Sequence, residues 1–301
     1  GIGRAIAETL AARGAKVIGT ATSENGAQAI SDYLGANGKG LMLNVTDPAS
    51  IESVLEKIRA EFGIDMVIAN GENASHGFGL SIEHAKELLS YGVDIISGGN
   101  HSWDKKEIIP LLDSMPILRP LNYPEGVAGS GVKVLHVKGE DVAVVNILGH
   151  YGMPMVENPF LVAKKAVEDL HVKGIKTIIV DFHAEVTSEK YAMLHLLKSH
   201  VTAILGTHTH VGTDDLHIVD GTCYVSDVGL SGCRDGVIGM DKDAPLKRFL
   251  TGLPASLEIP KKCKKILQMV ILDIEEGKCT QAHKLRIFDD QERVMVRALH
   301  E

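Results

Sequence analysis

Features that would place this chain of 301 residues in a special class of protein are scarce or missing. No apolar run reaches the roughly 18 residues that a membrane-spanning helix needs, so no membrane partner is expected. The chain has 31 Lys and Arg against 39 Asp and Glu, and its formal net charge of −8 argues against a surface for long nucleic acids. A hydrophobic content of 45% is ordinary, and the length suffices for one large α/β domain or two smaller ones.

Cysteine is scarce as well, and no two of the four cysteines form a Cys-x-x-Cys pair. Without closely spaced cysteines there is no sign of a disulfide framework or a zinc ribbon. The four are best explained as reduced thiols of a cytoplasmic protein. No secretory signal is visible either, so the expected location is the cytoplasm. These cysteines are Cys223, Cys233, Cys263 and Cys279.

What the chain does contain is a series of polar side chains at the ends of four apolar, β-branched runs. The runs cover residues 66–69, 93–96, 177–180 and 201–205, and they predict buried strands. Carboxylate, amide and imidazole groups are ligands suited to Mn, Fe or Zn. After the runs come, in order, Gly71-Glu72-Asn73, Gly99-Asn100-His101, His183 and Gly206-Thr207-His208-Thr209-His210.

The last of these motifs ends in a His-x-His pair. In an extended segment His208 and His210 point the same way, so each can bind one of two adjacent metals. Each motif alone also has an ordinary explanation. Asn and His both suit loops, and an isolated His183 is more often a hydrogen-bonded core residue than a ligand. Only the combination of all four in one order favours a metal site.

The order of the motifs resembles that of the calcineurin-like metallophosphoesterases. That family has an Asp block, then Gly-Asp, Gly-Asn-His, a lone His and Gly-His-x-His. Here Gly99-Asn100-His101 matches outright, His183 supplies the lone histidine, and His208-Thr209-His210 supplies the final pair.

One replacement narrows the resemblance further. Glu72 stands where the family usually has a bridging Asp. Together with the sequences from Asn100 to Glu107 and from Asp181 to Lys190, this replacement resembles the bacterial branch of 2′,3′-cyclic-nucleotide phosphodiesterases. The resemblance covers residues 64–301. It implies a fold of the α/β class, a metallophosphoesterase-like two-sheet sandwich flanked by helices. It also implies a metal-dependent phosphodiesterase whose partner is a small nucleotide or another phosphodiester.

The resemblance also assigns roles to residues of this chain. Two divalent or transition metal ions are implied, Mn or Fe, with Zn as an alternative. His101 is the implied acid that protonates the leaving oxygen or stabilises the transition state. The implied metal ligands are Glu72 as the bridge, then Asn100, His183 and His208 at one site, and His210 at the other with Asn73 close by.

Residues 1–63 follow a different pattern, a Rossmann-like alternation of strands and helices. This segment resembles a fragment of bacterial 3-oxoacyl-acyl-carrier-protein reductase, a short-chain dehydrogenase. Only Gly1 and Gly3 remain of that family's glycine fingerprint, and none of the six tyrosines has a Lys four positions later. Because the phosphate-cradling turn and the catalytic Tyr-x-x-x-Lys are both missing, no residue is expected to bind NADP. The predicted elements are strands at 16–21 and 40–45 and helices at 26–34 and 48–62.

The chain therefore resembles a chimera, with a partial Rossmann-like segment at 1–63 and a metallophosphoesterase domain at 64–301 that lacks its usual first strand. That strand normally supplies an Asp to the first metal. Asp47 is the nearest candidate by position, but Asp before a helix is a routine cap. Because this carboxylate is missing, one of the two metal sites is expected to be weak. Upstream sequence that restores the Asp, and a homo-oligomeric state, both stay open.

Three functions are consistent with these observations. The first is a metallophosphodiesterase, impaired to some degree by the missing Asp. The second is an inactive protein that binds metal or nucleotide. The third is an NADP-dependent 3-oxoacyl-acyl-carrier-protein reductase, suggested by the N-terminal segment alone and opposed by the absence of Tyr-x-x-x-Lys.

Overall fold

The structure is a computed structural model that describes residues 17–21, 24–42 and 48–301. Gly1, Gly3 and Asp47, which the sequence analysis singled out, lie outside the described residues. The described strands are β1 (Val17–Ala21), β2 (Gly38–Met42), β3 (Ile68–Asn70), β4 (Ile95–Ser97), β5 (Val132–Val137), β6 (Glu140–Leu148), β7 (Thr177–His183), β8 (Ala203–Thr207), β9 (His217–Val219), β10 (Thr222–Val225), β11 (Gly232–Cys233), β12 (Lys265–Glu275), β13 (Lys278–Phe288), β14 (Val294–Arg297) and β15 (Leu299–His300).

Helices account for most of the remaining regular structure. None of those described is long and apolar enough to cross a membrane. The described α-helices are α1 (Glu24–Leu34), α2 (Pro48–Phe62), α3 (Ile82–Ser90), α4 (Pro159–Val172), α5 (Thr187–Leu197) and α6 (Asp243–Thr251), and 3-10 helices cover Gly35–Asn37 and Lys106–Leu111.

The chain forms two compact units. Unit 1 comprises Gly1–Phe62, Leu230–Met269 and Leu285–Val296, and unit 2 comprises Gly63–Gly229, Val270–Lys284 and Arg297–Glu301. The division of the sequence into domains at residue 63 stays a prediction.

The N-terminal part of unit 1 has the strand and helix alternation that the sequence predicts. Strands β1 and β2 pair in parallel, from Val17 opposite Gly38 to Ala21 opposite Met42. Helix α2 begins at Pro48, a residue that suits the first turn because its missing N–H has no partner there. The predicted helix at 48–62 is confirmed. The strand predicted at 40–45 begins two residues earlier, at Gly38, and residues 43–45 lie outside the described residues.

A seven-stranded mixed sheet is the centre of unit 2, with the strand order β15-β9-β10-β8-β7-β6-β5. Its middle strands β6, β7, β8 and β10 run parallel. Every residue of β7 is buried, as expected for a β-branched run in the centre of a parallel sheet. A four-stranded sheet has the order β11-β12-β13-β14, and β3 and β4 pair in parallel.

Both faces of the seven-stranded sheet are covered by apolar side chains within unit 2. Helix α4 contributes Val167 and Leu170 to a core on one face, and α5 contributes Met193. Residues Cys279 and Ala282 of β13 belong to the core on the other face. The predicted fold class is confirmed, because the fold is a mixed α/β arrangement of packed sheets and helices.

The parallel strands of two sheets in unit 2 bring distant parts of the sequence together at their carboxyl ends. In the register of β7 and β8, His183 lies opposite Thr207, and in that of β6 and β7 it lies opposite Leu148. Asn70 at the end of β3 lies opposite Ser97 at the end of β4. Because parallel strands within a sheet end at the same edge, each motif of the sequence analysis follows or completes a strand of one of these two sheets.

The apolar pattern also predicts a helix over residues 105–115 and a hairpin over residues 268–288 that turns at Glu276-Gly277, and both differ from the structure. A helix over residues 105–115 is wrong in type, because the segment forms the 3-10 helix Lys106–Leu111 with Pro110 inside it. Proline has no N–H to donate within an α-helix, which favours a short and tighter turn. The predicted hairpin at 268–288 is longer than expected, and its turn at Glu276-Gly277 has φ of 51° and 82°. Two positive φ angles are the signature of the turn that matches the twist of hairpin strands.

Candidate metal centre

Glu72 is the carboxylate at the centre of the site. It follows β3 in a loop and is only 2% exposed. Its backbone N–H donates to Asn70 Oδ1 at 3.1 Å, which positions the residue. Its Oε1 accepts the backbone N–H of His101 at 2.9 Å, and its Oε2 lies 3.0 Å from His183 Nε2.

The Gly99-Asn100-His101 loop approaches Glu72 and His183 very closely. A Cβ atom at Gly99 would lie 2.5 Å from both Glu72 Oε1 and His183 Nε2, so only glycine fits there. The next residue, Asn100, has its Oδ1 atom 3.0 Å from His183 Nε2.

His183, at the end of β7, has two ring nitrogens in different surroundings. Its Nδ1 lies 3.0 Å from Thr207 Oγ1, and that hydroxyl donates its proton to Asp181 Oδ1 at 2.6 Å. The lone pairs of Thr207 Oγ1 therefore accept the proton on His183 Nδ1, and Nε2 carries a lone pair. The site thus selects one tautomer of His183, as a hydrogen-bonded partner does for histidines that bind metals.

The Nε2 atom of His183 faces three further lone-pair atoms. They are Glu72 Oε2 at 3.0 Å, Asn100 Oδ1 at 3.0 Å and His208 Nδ1 at 3.1 Å. His208 Nε2 lies 3.0 Å from Glu185 Oε2, so its proton is directed to Glu185 and away from the cluster. Four acceptors without a shared proton repel one another, and a cation among them removes that repulsion. The residues of this first half therefore fit a metal ion.

Asn73 and His210 form the second half of the centre. The Nδ2 atom of Asn73 lies 3.0 Å from His210 Nε2 and 3.3 Å from Glu72 Oε2. The Oδ1 atom of Asn73 is buried and has no hydrogen-bond partner. Because a buried, unpartnered amide oxygen is costly, this atom also fits a cation.

The backbone at the His-x-His pair differs from the prediction. An extended segment was expected, but β8 ends at Thr207, and φ is 104° at His208 and 61° at His210. The expectation of an extended pair is therefore wrong. The two imidazoles still reach different partners, since His208 contacts His183 and His210 contacts Asn73.

A buried ion pair supports this unusual backbone. Lys190 and Asp227 are each 1% exposed, and Nζ lies 3.1 Å from Oδ2. Lys190 Nζ also donates to the carbonyl of Thr207 at 2.9 Å, while Asp227 Oδ2 accepts the N–H of Thr209 at 3.0 Å. The pair thus holds the residues on either side of His208. Asp227 therefore has a structural role.

His101 lies beside the first half and is partly exposed. Its backbone contacts Glu72, but its side chain contacts other groups. Nδ1 lies 2.8 Å from Asp104 Oδ2, and the ring packs edge-on against Phe78 at 5.1 Å between centroids. With Nδ1 bound to Asp104, Nε2 is the nitrogen that can exchange a proton with a ligand.

Two pKa values describe the charge of the first half. Burial is the largest influence on Glu72 and favours its neutral form, but the imidazolium form of His183 and the N–H of His101 oppose it and lower the pKa from 4.5 to about 2. Burial, followed by repulsion from that imidazolium form, lowers the pKa of His208 from 6.5 to about 4. At neutral pH, Glu72 is ionised and His208 is neutral, the forms in which each can bind a metal.

The residues that support the site were missed by the sequence analysis. The carboxylate of Asp181 accepts hydrogen bonds from Asn70, Ser97 and Thr207. Donors of this kind stabilise an ionised carboxylate, although burial raises the pKa of Asp181. Glu185 and Asp104 each orient a histidine. The only sequence signal for them was their position in motifs that also contain ligands.

This chain is similar to known proteins over most of its length. The model of the family described as YmdB-like protein matches residues 46–285. A 2′,3′-cyclic-nucleotide 2′-phosphodiesterase of Bacillus subtilis (strain 168) is 37% identical over 265 residues, which cover 87% of this chain and 96% of that protein.

Two crystal structures share the fold. One, described as a novel phosphatase from Mycoplasma pneumoniae, superposes with a TM-score of 0.76 and 33% identity. The match covers 81% of this chain and 89% of that protein's chain. The other, a hypothetical protein from Thermus thermophilus, superposes with a TM-score of 0.73 and 36% identity, covering 83% of this chain and 94% of its own.

The N-terminal part is similar to other proteins. A family model described as Enoyl-(Acyl carrier protein) reductase matches residues 1–86. The 3-oxoacyl-(acyl-carrier-protein) reductase of Escherichia coli (strain K12) is 92% identical over 71 residues, which are 23% of this chain and 29% of that protein. The prediction that two parts of the chain resemble two families is confirmed. The two family models overlap at residues 46–86, so the predicted boundary at 63 lies inside the overlap.

Proposed function

Because the chain belongs to the YmdB-like protein family and is a phosphoester hydrolase, we propose that it hydrolyses phosphodiesters with the help of divalent metal ions. The observation that carries this proposal is the convergence of lone-pair atoms on His183 Nε2, each within 3.1 Å of it. Such a group of acceptors is unfavourable in a folded protein unless a cation binds there.

The first metal would be held by Glu72, Asn100, His183 and His208. The second would be held by His210 and Asn73, with Glu72 shared between the two. When bound, metal ions of this kind offset the negative charge of the phosphate and lower the pKa of water. Mn and Fe suit these oxygen and nitrogen ligands, and Zn is the alternative. The second site is the weaker of the two, because it adds only one imidazole and one neutral amide to the shared Glu72.

His101 supplies the proton in this proposal. Asp104 holds its Nδ1 at 2.8 Å, which directs Nε2 to the leaving oxygen of a substrate. The side chain hydrogen-bonds to Asp104 and packs against Phe78, so the proposal does not use it as a ligand. A general acid in such a position contributes about 10²–10⁴ to the rate.

We propose 2′,3′-cyclic nucleotides as the substrate class, with support from the name of the Bacillus subtilis relative. In that reaction water attacks phosphorus, one P–O bond to the ribose breaks, and His101 protonates the departing ribose oxygen. The ring opens to a nucleoside monophosphate. We also propose that residues 64–301 form the catalytic domain and that residues 1–63 contribute no group to the chemistry.

The test is hydrolysis by the full chain after chelator treatment and reloading. The chain is reloaded with Mn, Fe or Zn and assayed on 2′,3′-cyclic AMP and on bis(p-nitrophenyl) phosphate. Activity that depends on added metal, together with metal retained on the protein, is the expected result. A chain that binds metal but cleaves neither diester would be a binding protein, and the hydrolase proposal would be wrong.

A further inference from the structure

A second group of metal-type ligands lies within unit 1, outside the centre described above. It consists of Cys233, Asp235 and Cys263. One ligand atom from each residue lies within 4.8 Å of the others, and both cysteines are free thiols. Cys233 is buried at 4% exposure, and its Sγ lies 3.4 Å from Asp235 Oδ1.

The spacing of these atoms suits a tetrahedral metal ion. Bonds of about 2.3 Å to sulfur and about 2.1 Å to oxygen place two such ligands roughly 3.6 Å apart on one edge of a tetrahedron. The 3.4 Å between Cys233 Sγ and Asp235 Oδ1 is close to that length. The sulfur of Cys263 lies within 4.8 Å of both other atoms, so a shift of roughly 1 Å brings it to tetrahedral spacing.

The backbone holds the two cysteine segments together without any ion. The N–H of Arg234 donates to the carbonyl of Lys264 at 2.8 Å, and the N–H of Lys264 donates to Asp235 Oδ1 at 3.0 Å. These two bonds lie directly beside the three ligands. Gly236 is also close, since a Cβ atom there would lie 3.5 Å from Cys233 Sγ. The site is thus largely formed before a ligand arrives, which lowers the entropy cost of binding.

Two cationic side chains belong to the same segments but are paired elsewhere. Both Arg234 and Lys264 form ion pairs with Asp290, the latter at 3.3 Å between Nζ and Oδ2. The guanidinium of Arg234 also lies over the ring of Phe288, 5.4 Å from its centroid. The cluster itself therefore contains two thiols and a carboxylate next to two cations that share the carboxylate of Asp290.

We propose that Cys233, Asp235 and Cys263 bind one thiophilic divalent cation of the Zn²⁺ type, with water as the fourth ligand. Thiolate ligands select Zn²⁺ over Mn²⁺, so this site does not take the Mn²⁺ proposed for the candidate metal centre. Binding releases the two thiol protons to solvent as two metal–sulfur bonds form. The ion closes the loop between Cys233 and Cys263, which contains helix α6.

The experiment uses Co²⁺ as a spectroscopic probe on the full chain. Protein is stripped with a chelator, kept reduced with a phosphine and titrated with Co²⁺. Thiolate ligands give cobalt a charge-transfer absorption in the near ultraviolet, whereas the oxygen and nitrogen ligands around His183 give none. We expect that band to saturate at one Co²⁺ per chain, and we expect added Zn²⁺ to remove it.

Variants decide whether the band comes from this cluster. In Cys263→Ser we expect the band at saturating Co²⁺ to fall to about half, because Cys233 remains as a thiolate ligand, and the affinity to fall about tenfold or more, since even groups that only orient a ligand contribute about 10–100-fold. Asp235 is exposed, so Asp235→Asn leaves the packing intact and should weaken binding while keeping the band. Cys279→Ser is the matched control, because Cys279 is also buried but lies outside the cluster.

Three outcomes would overturn the proposal. They are the absence of a thiolate band in the reduced chain, a band unchanged in Cys263→Ser, and a band lost in the Cys279→Ser control. A Cys233–Cys263 disulfide in the chain as isolated, with no band after reduction, would identify a redox pair in place of a metal site.

Discussion

The two halves of the candidate metal centre differ in how many carboxylate and imidazole groups they contain. The first half combines one carboxylate, one amide and the two imidazoles of His183 and His208. In the second half, His210 contacts the neutral amide of Asn73. Among the described residues, no group of three His, Cys, Asp or Glu ligands includes His210. One half therefore resembles a complete site and the other a site that lacks a carboxylate.

The difference teaches that the two halves depend on different parts of the fold. The first half is built on the ends of β7 and β8 and on the loops that follow β3 and β4. These four strands contribute residues to hydrophobic clusters, which hold the strand ends in place. The second half depends on a loop residue with φ of 61° and on an amide whose Oδ1 has no partner. Loss of a single anionic ligand would weaken metal binding mainly in the second half, because few other ligands are present there.

The largest expected effect follows from removing the atom on which the first half converges. In His183→Ala we expect no hydrolysis above background and loss of the tightly bound metal, because Glu72, Asn100 and His208 no longer share a common partner. Metal content by elemental analysis and diester hydrolysis are the measurements. His136→Ala is the control, since His136 is an exposed histidine that pairs with Asp141. A fully active, metal-loaded His183→Ala protein would contradict the assignment of the first half.

The next effect separates proton transfer from metal binding. In His101→Ala we expect the rate to fall about 10²–10⁴-fold with unchanged metal content, because the side chain donates a proton and is not a ligand. Asp104→Asn should cause a smaller loss, since it removes only the group that orients the ring. Loss of metal in His101→Ala would show that the division of roles between Asn100 and His101 is wrong.

A gain of function would sharpen the comparison of the two halves. Asn73→Asp adds a carboxylate beside His210, so we expect the Mn concentration needed for half-maximal rate to fall about tenfold or more, as affinity follows ligand charge. Asn73→Ala should shift it in the opposite direction. The measurement is the rate as Mn is raised from micromolar to millimolar. An identical Mn requirement in the two variants would rule out a weak second site at this position.

The smallest expected effect concerns the stability of the metal-free chain in acid. The pKa of His208 is about 4 in the folded state and near 6.5 when unfolded, so the unfolded state takes up its proton first as pH falls. Stability is therefore full above pH 6.5 and declines as the pH falls from 6.5 to 4. Glu72 contributes stability that is present above pH 4.5 and lost as pH falls towards its folded pKa of about 2.

Melting temperature measures this decline. Between pH 7.5 and pH 5 we expect a decrease on the order of 5 °C in the metal-free chain, because each kcal/mol corresponds to about 2–4 °C in a protein of this size. In His208→Gln the part of the decline that begins at pH 6.5 should disappear. A decline of the same size in that variant would place its origin at another group.

Much of the site was predictable from the sequence, and the reason is local. Four β-branched runs predicted the strands that precede Glu72, Asn100, His183 and His208, and the helix at 48–62 followed from the position of Pro48. The helix predicted at 105–115 failed for an equally local reason, the proline inside it. Helix α6 was missed, because a helix of nine residues contains too few apolar positions to show a clear helical repeat.

Other features depend on contacts between residues far apart in the sequence. The protonation of His183 is set by Thr207 and Asp181 together, and no motif expresses that relation. The positive φ at His208 is supported by Lys190 and Asp227, which hold its two neighbours. Sequence spacing therefore predicted an extended His-x-His pair, whereas long-range hydrogen bonds stabilise a bent backbone at His208.

The sequence by itself determined which ligand types are available and in what order the strands deliver them, because hydrophobic periodicity and short motifs are properties of neighbouring residues. The tertiary structure decided which atoms of those ligands meet, which nitrogen of each histidine is free, and that Cys233 and Cys263 lie beside Asp235. These are decided by packing and hydrogen bonds across the fold, whose energies depend on distance in space and not on distance along the chain.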